Sequence, residues 1–268
     1  MSGFRPVIRA LGAKEMETLD CIKESHDALL QSAEKLVFDK QHPWHRNLVA
    51  LHGSIIELSS CLITLIENRC ATGVPSVFRT LLETYVEFHN LANDKKYGYH
   101  MEASYLDQWL KVLKEAVKGN NPYLESIGKS PDIHENILEH EKELKNLKEK
   151  GYNPLSIYSS FEKAEMQDIY RSIYNFVSND AHSNIRALIK RHFEITENDL
   201  TVVYYREEPP ENFVSEVDTS TSLLIQSGIK LHNILESEAL DEVEALNAKL
   251  EAWRKQHLTN SSSGTDNP

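Results

Sequence analysis

The sequence has few of the residues that build disulfide-linked or metal-bound folds. Three cysteines, Cys21, Cys61 and Cys70, occur in 268 residues, and none stands in a Cys-x-x-Cys pair or at Cys/His spacing. Structural zinc sites need that spacing, and disulfide scaffolds need a denser set of cysteines. We therefore expect all three cysteines to be core residues of apolar helices, and we predict no metal site and no cofactor.

A secretory signal and long apolar runs are also missing. The first residues, MSGFRPVIRA, lack the charged start, apolar run and small-residue cleavage site of a signal peptide. No segment holds the roughly 18 uninterrupted apolar residues that are typical of a membrane span. We therefore expect a soluble, cytoplasmic protein that has no membrane contact.

Basic charge is scarce as well. The formal net charge is −12, which argues against a broad nucleic-acid surface because phosphate binding depends on clustered Lys and Arg. Residues 207–251 hold eleven acidic residues and two lysines, so the rest of the chain carries only −3. A local basic patch such as Arg186, Lys190 and Arg191 is therefore compatible with the total. The acidic segment itself predicts a basic protein partner or self-association.

Amphipathic periodicity is what the sequence has in abundance. Apolar residues recur at three- and four-residue spacing and predict helices near 13–38, 45–71, 75–94, 99–118, 132–149, 161–192 and 214–256. A stretch rich in β-branched and aromatic residues predicts a short β-hairpin at 192–206. We expect an all-α, multi-helix bundle that carries this hairpin. The predicted organisation is an N-terminal helix (1–44), a bundle core with the hairpin as an insertion (45–256) and a disordered tail (257–268).

Two predicted helices carry polar residues at four-residue spacing, which puts those residues on one helix face. Arg79 and Glu83 lie beside apolar residues in SVFRTLLETYVEFHNL, so they are expected to be partly buried, where charges are tolerated when paired. Tyr174, Ser178 and His182 follow one another in the same way about a hundred residues later. The first pair is either an ordinary surface ion pair or part of a polar site.

The second set contains groups that can do chemistry. His182 can take or give a proton near neutral pH, and the hydroxyls of Tyr174 and Ser178 can orient it or bind a phosphate. Polar residues crowd the helix here, from Ser178 and Asn179 to Asn184, although such residues prefer helix caps. Either the helix breaks and is capped again at this point, or its backbone is shaped for a ligand.

Other catalytic patterns are weak or missing. Arg46 with His52, and Arg186 with His192, fit a loose arginine-to-histidine pattern used by helical ribonucleases. Six residues turn a helix by about 600°, which places each pair well apart on an undistorted helix. The sequence has no Gly-rich phosphate loop, no Gly-x-Ser-x-Gly elbow, no His-Glu-x-x-His helix and no Glu-x-x-His pair.

The segments from Phe78 to Glu83 and from Tyr174 through Ser178 to His182 resemble a known pattern. A widespread bacterial family of uncharacterised helical proteins often carries Arg-Ser-Leu-Leu-Glu and Ser-x-x-x-His cores, and the resemblance covers roughly residues 45–205. That family is distantly similar to the HEPN superfamily. HEPN domains are helical, often belong to toxin–antitoxin and antiphage systems, and in many cases cleave RNA without metal.

The resemblance implies a HEPN-like effector that acts on RNA or a nucleotide, and a homodimer, since HEPN-like domains commonly build sites across a two-fold axis. It implies that Arg79 stabilises phosphate charge, Glu83 orients Arg79, and His182 acts as acid or base. HEPN nucleases keep Arg and His on one short segment, whereas here they lie on two helices. The candidate catalytic residues are Arg79, Glu83, Ser178 and His182; the candidate substrate-binding residues are Tyr174, Asn179 and Arg186.

A second hypothesis belongs to a different class. The same residues can form a buried polar network that fixes the register of two helices in a non-catalytic interaction or regulatory module. In that case the acidic segment would cover the basic surface of a protein partner. The accessibility of the polar residues in the folded protein separates the two hypotheses.

Overall fold

The computed structural model describes residues 12–181, 184–196 and 199–258. In chain order its α-helices are α1 (Ala13–Ala33), α2 (Pro43–Glu67), α3 (Val74–Asn93), α4 (Tyr97–Val117), α5 (Glu125–Gly128), α6 (Ile133–Glu149), α7 (Ile157–Lys163), α8 (Gln167–Ile169), α9 (Asn175–Ala181), α10 (Ile185–His192), α11 (Val214–Ile234), α12 (Leu240–Glu244) and α13 (Leu246–His257). A π-helical turn, Tyr170–Tyr174, joins α8 to α9. The strands are β1 (Phe193–Ile195) and β2 (Leu200–Val202). The predicted all-α bundle with a short hairpin is confirmed.

The helices form two compact units. The described parts of Met1–Ala92 and Gln167–Pro268 make up the first unit, and Asn93–Met166 makes up the second. α1 packs on α2 and α11 within the first unit, and the boundaries at residues 44 and 256 stay predictions. The predicted tail lies, from residue 259 onward, outside the described residues.

Two helices that were predicted as continuous are interrupted, and α2 ends earlier than predicted. At each of these points a residue other than glycine adopts a left-handed conformation: Arg69 at φ 56°, Glu165 at φ 58° and Glu236 at φ 51°. The amide that follows bonds back to a carbonyl in the last helical turn, as Met166 N does to Phe161 O at 2.9 Å. This is the Schellman arrangement that usually carries glycine. The predicted helix boundaries were wrong here because the usual glycine signal is missing.

The helix predicted over 161–192 has a second break. The Asn184 side chain accepts a hydrogen bond from the Arg186 amide at 3.0 Å and caps the start of α10. Of the two alternatives for this polar stretch, the chain therefore breaks and caps a new helix. Residues 182 and 183, immediately before the cap, lie outside the described residues.

The core of the first unit lies between α1, α2 and α11. The buried face of α2 consists of Leu48, His52, Ile55, Ile56, Ser59, Leu62, Ile63 and Ile66. α1 and α11 approach closely at Gly228, where a Cβ atom would stand 2.3 Å from Cδ2 of the fully buried Leu29. By length and composition alone, α2 could cross a membrane. In the structure α2 packs against α1 and α11.

The second unit has its own core. α4 packs along α6, and the buried residues between them are Ala103, Leu106, Leu110, Leu144 and Leu147. The thin apolar stripe of α6 therefore faces α4. The charged side of α6 faces solvent, and it forms exposed ion pairs such as Lys114 Nζ to Glu141 Oε1 at 2.6 Å. Such pairs contribute little to stability.

The hairpin is anchored at its base to α10. His192 Nδ1 lies 2.9 Å from the Val203 carbonyl oxygen, and Arg206 Nε donates to the Arg191 carbonyl at 3.1 Å. β1 and β2 pair in antiparallel register, with Phe193 opposite Val202 and Ile195 opposite Leu200.

The cysteines are only partly core residues. Cys21 is buried in α1, Cys61 is exposed on α2, and Cys70 is partly buried just after α2. The prediction was therefore right for Cys21 and wrong for Cys61, which lies on the solvent side of an otherwise apolar helix.

Candidate functional site

The first half of the candidate site lies on α3. Phe78, Leu81 and Leu82 face the core and are almost fully buried. Arg79 and Glu83 lie beside this apolar face, and their side chains are 24% and 27% exposed. Arg79 Nε stands 3.0 Å from Glu83 Oε1, one helical turn away. The pair is therefore neither fully buried nor an ordinary surface ion pair.

The second half comes from the helix that contains the π-helical turn. Tyr174 is 4% exposed, and its hydroxyl donates to Glu83 Oε1 at 2.6 Å. The same hydroxyl accepts from Arg79 Nε at 3.0 Å, and the Arg79 guanidinium carbon lies 5.3 Å from the centre of the Tyr174 ring. Arg79, Glu83 and Tyr174 thus form a closed set of hydrogen bonds, which we call the Arg79 network.

Tyr170 extends this arrangement and was missed by the sequence analysis. Its ring stacks on that of Tyr174, with the centres 5.0 Å apart and the planes inclined by 17°. The four-residue spacing of the two tyrosines would have indicated the contact. The π-helical turn between them has no comparable sequence signal. Turns of this kind occur mostly as single bulges in α-helices, frequently at functional sites.

Burial and hydrogen bonding in the network shift the pKa values of Arg79 and Tyr174. Burial lowers the pKa of Arg79, but the hydrogen bond with Tyr174 and the nearby Glu83 carboxylate outweigh it, so the pKa lies above its usual value. Burial, together with the hydrogen bond to Glu83, raises the pKa of Tyr174. Around neutral pH Arg79 is therefore a guanidinium and Tyr174 a protonated phenol, and the hydrogen bond between them fixes both groups.

Ser178 lies one turn beyond Tyr174 on α9. Its Oγ is buried and has no hydrogen-bond partner among the described residues. The core hydroxyls of Ser25 and Ser220 share this property, so it does not by itself mark Ser178 as a binding residue. His182, the predicted acid or base, lies outside the described residues.

Asn179 and Arg186 are separate from the network. Both are exposed, and Arg186 belongs to α10, beyond the break in the helix. In the described part of the chain, no hydrogen bond or ion pair joins either side chain to Arg79, Glu83 or Tyr174. The structure thus brings three of the predicted residues together and leaves these two outside the cluster.

The alternative Arg–His pairs do not form sites. His52 is 1% exposed, and its Nδ1 lies 3.0 Å from Ser227 Oγ in the core, whereas Arg46 faces solvent. Burial lowers the pKa of His52 to about 3. His192 is used at the base of the hairpin, as described above. The wide angular separation expected for a six-residue interval explains both results.

Within residues 12–181, 184–196 and 199–258, no group of three or more His, Cys, Asp or Glu side chains could hold a metal ion. A groove on the second unit, between α4 and α6, is lined by Lys111, Lys114, Lys145 and Lys148. Asp107, Glu141 and Glu149 line the same groove and lie within ion-pair distance of these lysines. This mixture of opposite charges gives no focused site.

Comparison with known protein families gives one match, and it includes the residues of the Arg79 network. Residues 45–200 match DUF5677, a family of unknown function. The chain belongs to DUF5677. The match spans α2 and α3 together with the helix from Gln167 to Ala181, so it includes every residue of the Arg79 network. The chain matches no curated protein and no solved structure. The description of this family names no activity.

Proposed function

We propose that the protein is a HEPN-like effector that acts on RNA or a nucleotide by metal-independent acid–base chemistry. The active centre would consist of Arg79, Glu83, Ser178 and His182, with Tyr174 as a positioning residue. In keeping with the HEPN resemblance, the effector would work in the cytoplasm as a toxin or in antiphage defence.

One observation supports this proposal: the side chain of Arg79 is held in place by two partners yet is partly exposed. Glu83 and Tyr174 both bond its Nε, while 24% of the Arg79 side chain is exposed. A fixed guanidinium needs no reorganisation when charge develops on a phosphate, which makes it an effective electrostatic catalyst. A surface arginine with free rotation would lose that advantage.

The remaining groups would complete the reaction. For RNA, the ribose 2′-oxygen would attack the adjacent phosphorus as the bond to the 5′-oxygen breaks, which gives a 2′,3′-cyclic phosphate and a 5′-hydroxyl. His182 would either take the proton from the 2′-hydroxyl, with water protonating the leaving 5′-oxygen, or itself protonate that oxygen, with water taking the 2′-hydroxyl proton. The Ser178 Oγ, which has no hydrogen-bond partner among the described residues, would donate a hydrogen bond to a phosphate oxygen. Glu83 and Tyr174 would keep the Arg79 guanidinium aimed at the phosphate.

The test is an activity screen in the presence of a metal chelator. The purified protein is incubated with RNA and with common nucleotides, and the products are separated by chromatography. Wild-type protein is expected to degrade RNA or modify a nucleotide, and His182→Ala is expected to abolish this. The control is His257→Ala, a histidine on α13 that stacks on Trp253 away from the network. Undiminished activity in His182→Ala would reject the proposal.

A second candidate function is favoured by the burial of Tyr174. Its hydroxyl, the Glu83 carboxylate and Arg79 Nε satisfy one another, and Tyr174 is 4% exposed. A polar network of this kind can fix the register of two helices in a non-catalytic interaction module. The acidic segment 207–251 would then bind a basic protein partner. In this case Arg79→Ala lowers stability and no activity is found; an unchanged thermal melt would count against it.

A further inference from the structure

Three aromatic rings meet at the start of α2. The rings of His42 and His45 stack, with their centres 4.7 Å apart and their planes inclined by 23°. Trp44 contacts both, edge-on to His42 at 6.2 Å and tilted against His45 at 5.2 Å. We call these three residues the His42 cluster. His42 is exposed, so the face of its ring that points away from His45 is open to another flat ring.

Hydrogen bonds hold the His42 cluster in place. The Trp44 backbone amide donates to His42 Nδ1 at 3.2 Å, so the His42 side chain caps α2 and its ring is fixed. The Trp44 indole Nε1 donates to the Leu91 carbonyl at 2.8 Å, which ties the cluster to the last turn of α3. An aromatic side chain that is already ordered loses little conformational entropy when a ligand stacks on it.

Positive charge lies next to the His42 cluster. Lys40 stands in the turn that the His42 amide closes on the Asp39 carbonyl at 3.2 Å, and the Arg46 amide donates to the His42 carbonyl, one helical turn along α2. The side chains of Lys40 and Arg46 are exposed, and neither forms an ion pair with another described residue. Residues 40–56 contain no acidic residue, although the whole chain carries a net charge of −12. The surface around His42 is therefore locally basic.

An exposed ring stack beside cations has the chemistry that binds nucleotides. A nucleobase stacks on an aromatic ring, which contributes about 1–3 kcal/mol per base, and lysine or arginine binds the phosphate. The amino-terminal end of α2, a helix of 25 residues, adds partial positive charge at the same place. An acidic peptide fits less well, because a carboxylate side chain has no flat ring that could lie on His42.

The stack of His257 on Trp253 lacks these features. Its rings are also close, with their centres 4.6 Å apart, but Trp253 is only 6% exposed. The neighbouring Arg254 is paired with Asp218 and Glu251, so its charge is already neutralised. This second stack therefore provides a matched control within the same chain.

We propose that the His42 cluster is a nucleotide-binding site, in which a nucleobase stacks on the His42 ring while Lys40 and Arg46 bind the attached phosphate. The ligand chemistry is a nucleobase linked to a phosphate, which either a free nucleotide or a strand of RNA supplies. This site goes beyond the proposed reaction and does not depend on it, because none of its residues belongs to the Arg79 network.

The first test measures binding to the full chain, in the presence of EDTA, with two probes. ATP is titrated by calorimetry, and a fluorescein-labelled oligoadenylate RNA by fluorescence anisotropy. At least one probe binds. His42→Asn removes the ring but keeps a side chain that caps α2, and it raises the Kd by about tenfold or more because a stacking contact is lost. His42→Phe keeps a ring without the capping nitrogen, and it leaves the Kd within about threefold.

The second test uses charge. The double variant Lys40→Gln, Arg46→Gln makes binding less dependent on salt, because phosphate contacts are lost. His257→Ala and Arg79→Ala each leave the Kd unchanged. Binding of ATP alone assigns the site to a free nucleotide, and binding of the oligoadenylate alone assigns it to RNA. The proposal is overturned if neither probe binds, if His42→Asn does not weaken binding, or if inorganic phosphate displaces the probe as well as AMP does.

Discussion

Replacing Tyr174 with phenylalanine removes a single hydroxyl group from the centre of the Arg79 network. That hydroxyl donates to Glu83 Oε1 at 2.6 Å and accepts from Arg79 Nε at 3.0 Å. The ring keeps its stacking on Tyr170 and its position beneath the guanidinium. The perturbation therefore isolates the hydrogen bonds from the packing.

The expected cost follows from the geometry. A hydrogen bond to a charged group contributes about 1.5–3 kcal/mol, and this hydroxyl makes two. Arg79 and Glu83 remain paired with each other after the substitution, and each is about a quarter exposed, so water can replace part of what is lost. We expect Tyr174→Phe to lower the free energy of unfolding by about 1–2 kcal/mol.

Urea denaturation followed by circular dichroism measures this change. The matched control is Tyr97→Phe, because the Tyr97 hydroxyl is also buried but donates to the neutral Ser160 Oγ at 3.1 Å. Its loss should cost about 0.5–1.5 kcal/mol. Burial and the Glu83 hydrogen bond raise the pKa of Tyr174, so its stabilising contribution is complete below pH 10 and is lost as the pH rises through the folded-state pKa. An unfolding midpoint unchanged by Tyr174→Phe would refute this account of the network.

Two further stability predictions concern the core of the first unit. Because burial lowers the pKa of His52 from 6.5 to about 3, the protein should lose stability as the pH falls below 6.5, by up to about 1.4 kcal/mol per pH unit, and His52→Gln should flatten this dependence in urea melts at several pH values. An equally steep acid dependence in the variant would contradict the assignment. Gly228→Ala should cost about 1–3 kcal/mol because its Cβ would meet the buried Leu29. Gly53→Ala, which meets nothing within 4 Å, should stabilise α2 by about 0.5–1 kcal/mol; equal thermal melts for the two glycine variants would refute the packing argument.

Helical periodicity predicts the fold class well because each amphipathic helix carries its own signal. The points at which the helices are interrupted were harder to predict. Glu165 and Glu236 adopt the left-handed conformation that glycine usually takes at the end of a helix, so no glycine in the sequence indicates these interruptions. The early end of α2 has the same cause, since Arg69 ends the helix before Gly73. The separate core of Asn93–Met166 depends on long-range packing of α4 on α6, which local patterns do not reveal.

The candidate site was predicted in part. Four-residue spacing correctly placed Arg79 and Glu83 on one face of α3, and it placed Tyr174 on a second helix. The sequence predicted a contact between the two helices only through the resemblance of their motifs. In the structure, the Tyr174 hydroxyl makes this contact by hydrogen bonding to Arg79 and Glu83. The stacked Tyr170 was overlooked. The π-helical turn could not be predicted, because one extra residue in a helical turn changes neither the hydrophobic periodicity nor the helix propensity of the sequence in a recognisable way.

The central claim is that the Arg79 network serves chemistry on RNA or a nucleotide rather than helix register alone. The most direct test compares the turnover of the substrate found in the activity screen by Arg79→Ala and by Arg254→Ala. Arg254 has a similar exposure, 31%, and a similar ion pair, to Asp218 at 2.6 Å, but it lies on α13, and its side-chain partners among the described residues are Asp218 and Glu251. We predict that Arg79→Ala lowers kcat by about 100-fold or more while Arg254→Ala changes it less than about twofold. Equal turnover by the two variants, at comparable thermal stability, would contradict the claim.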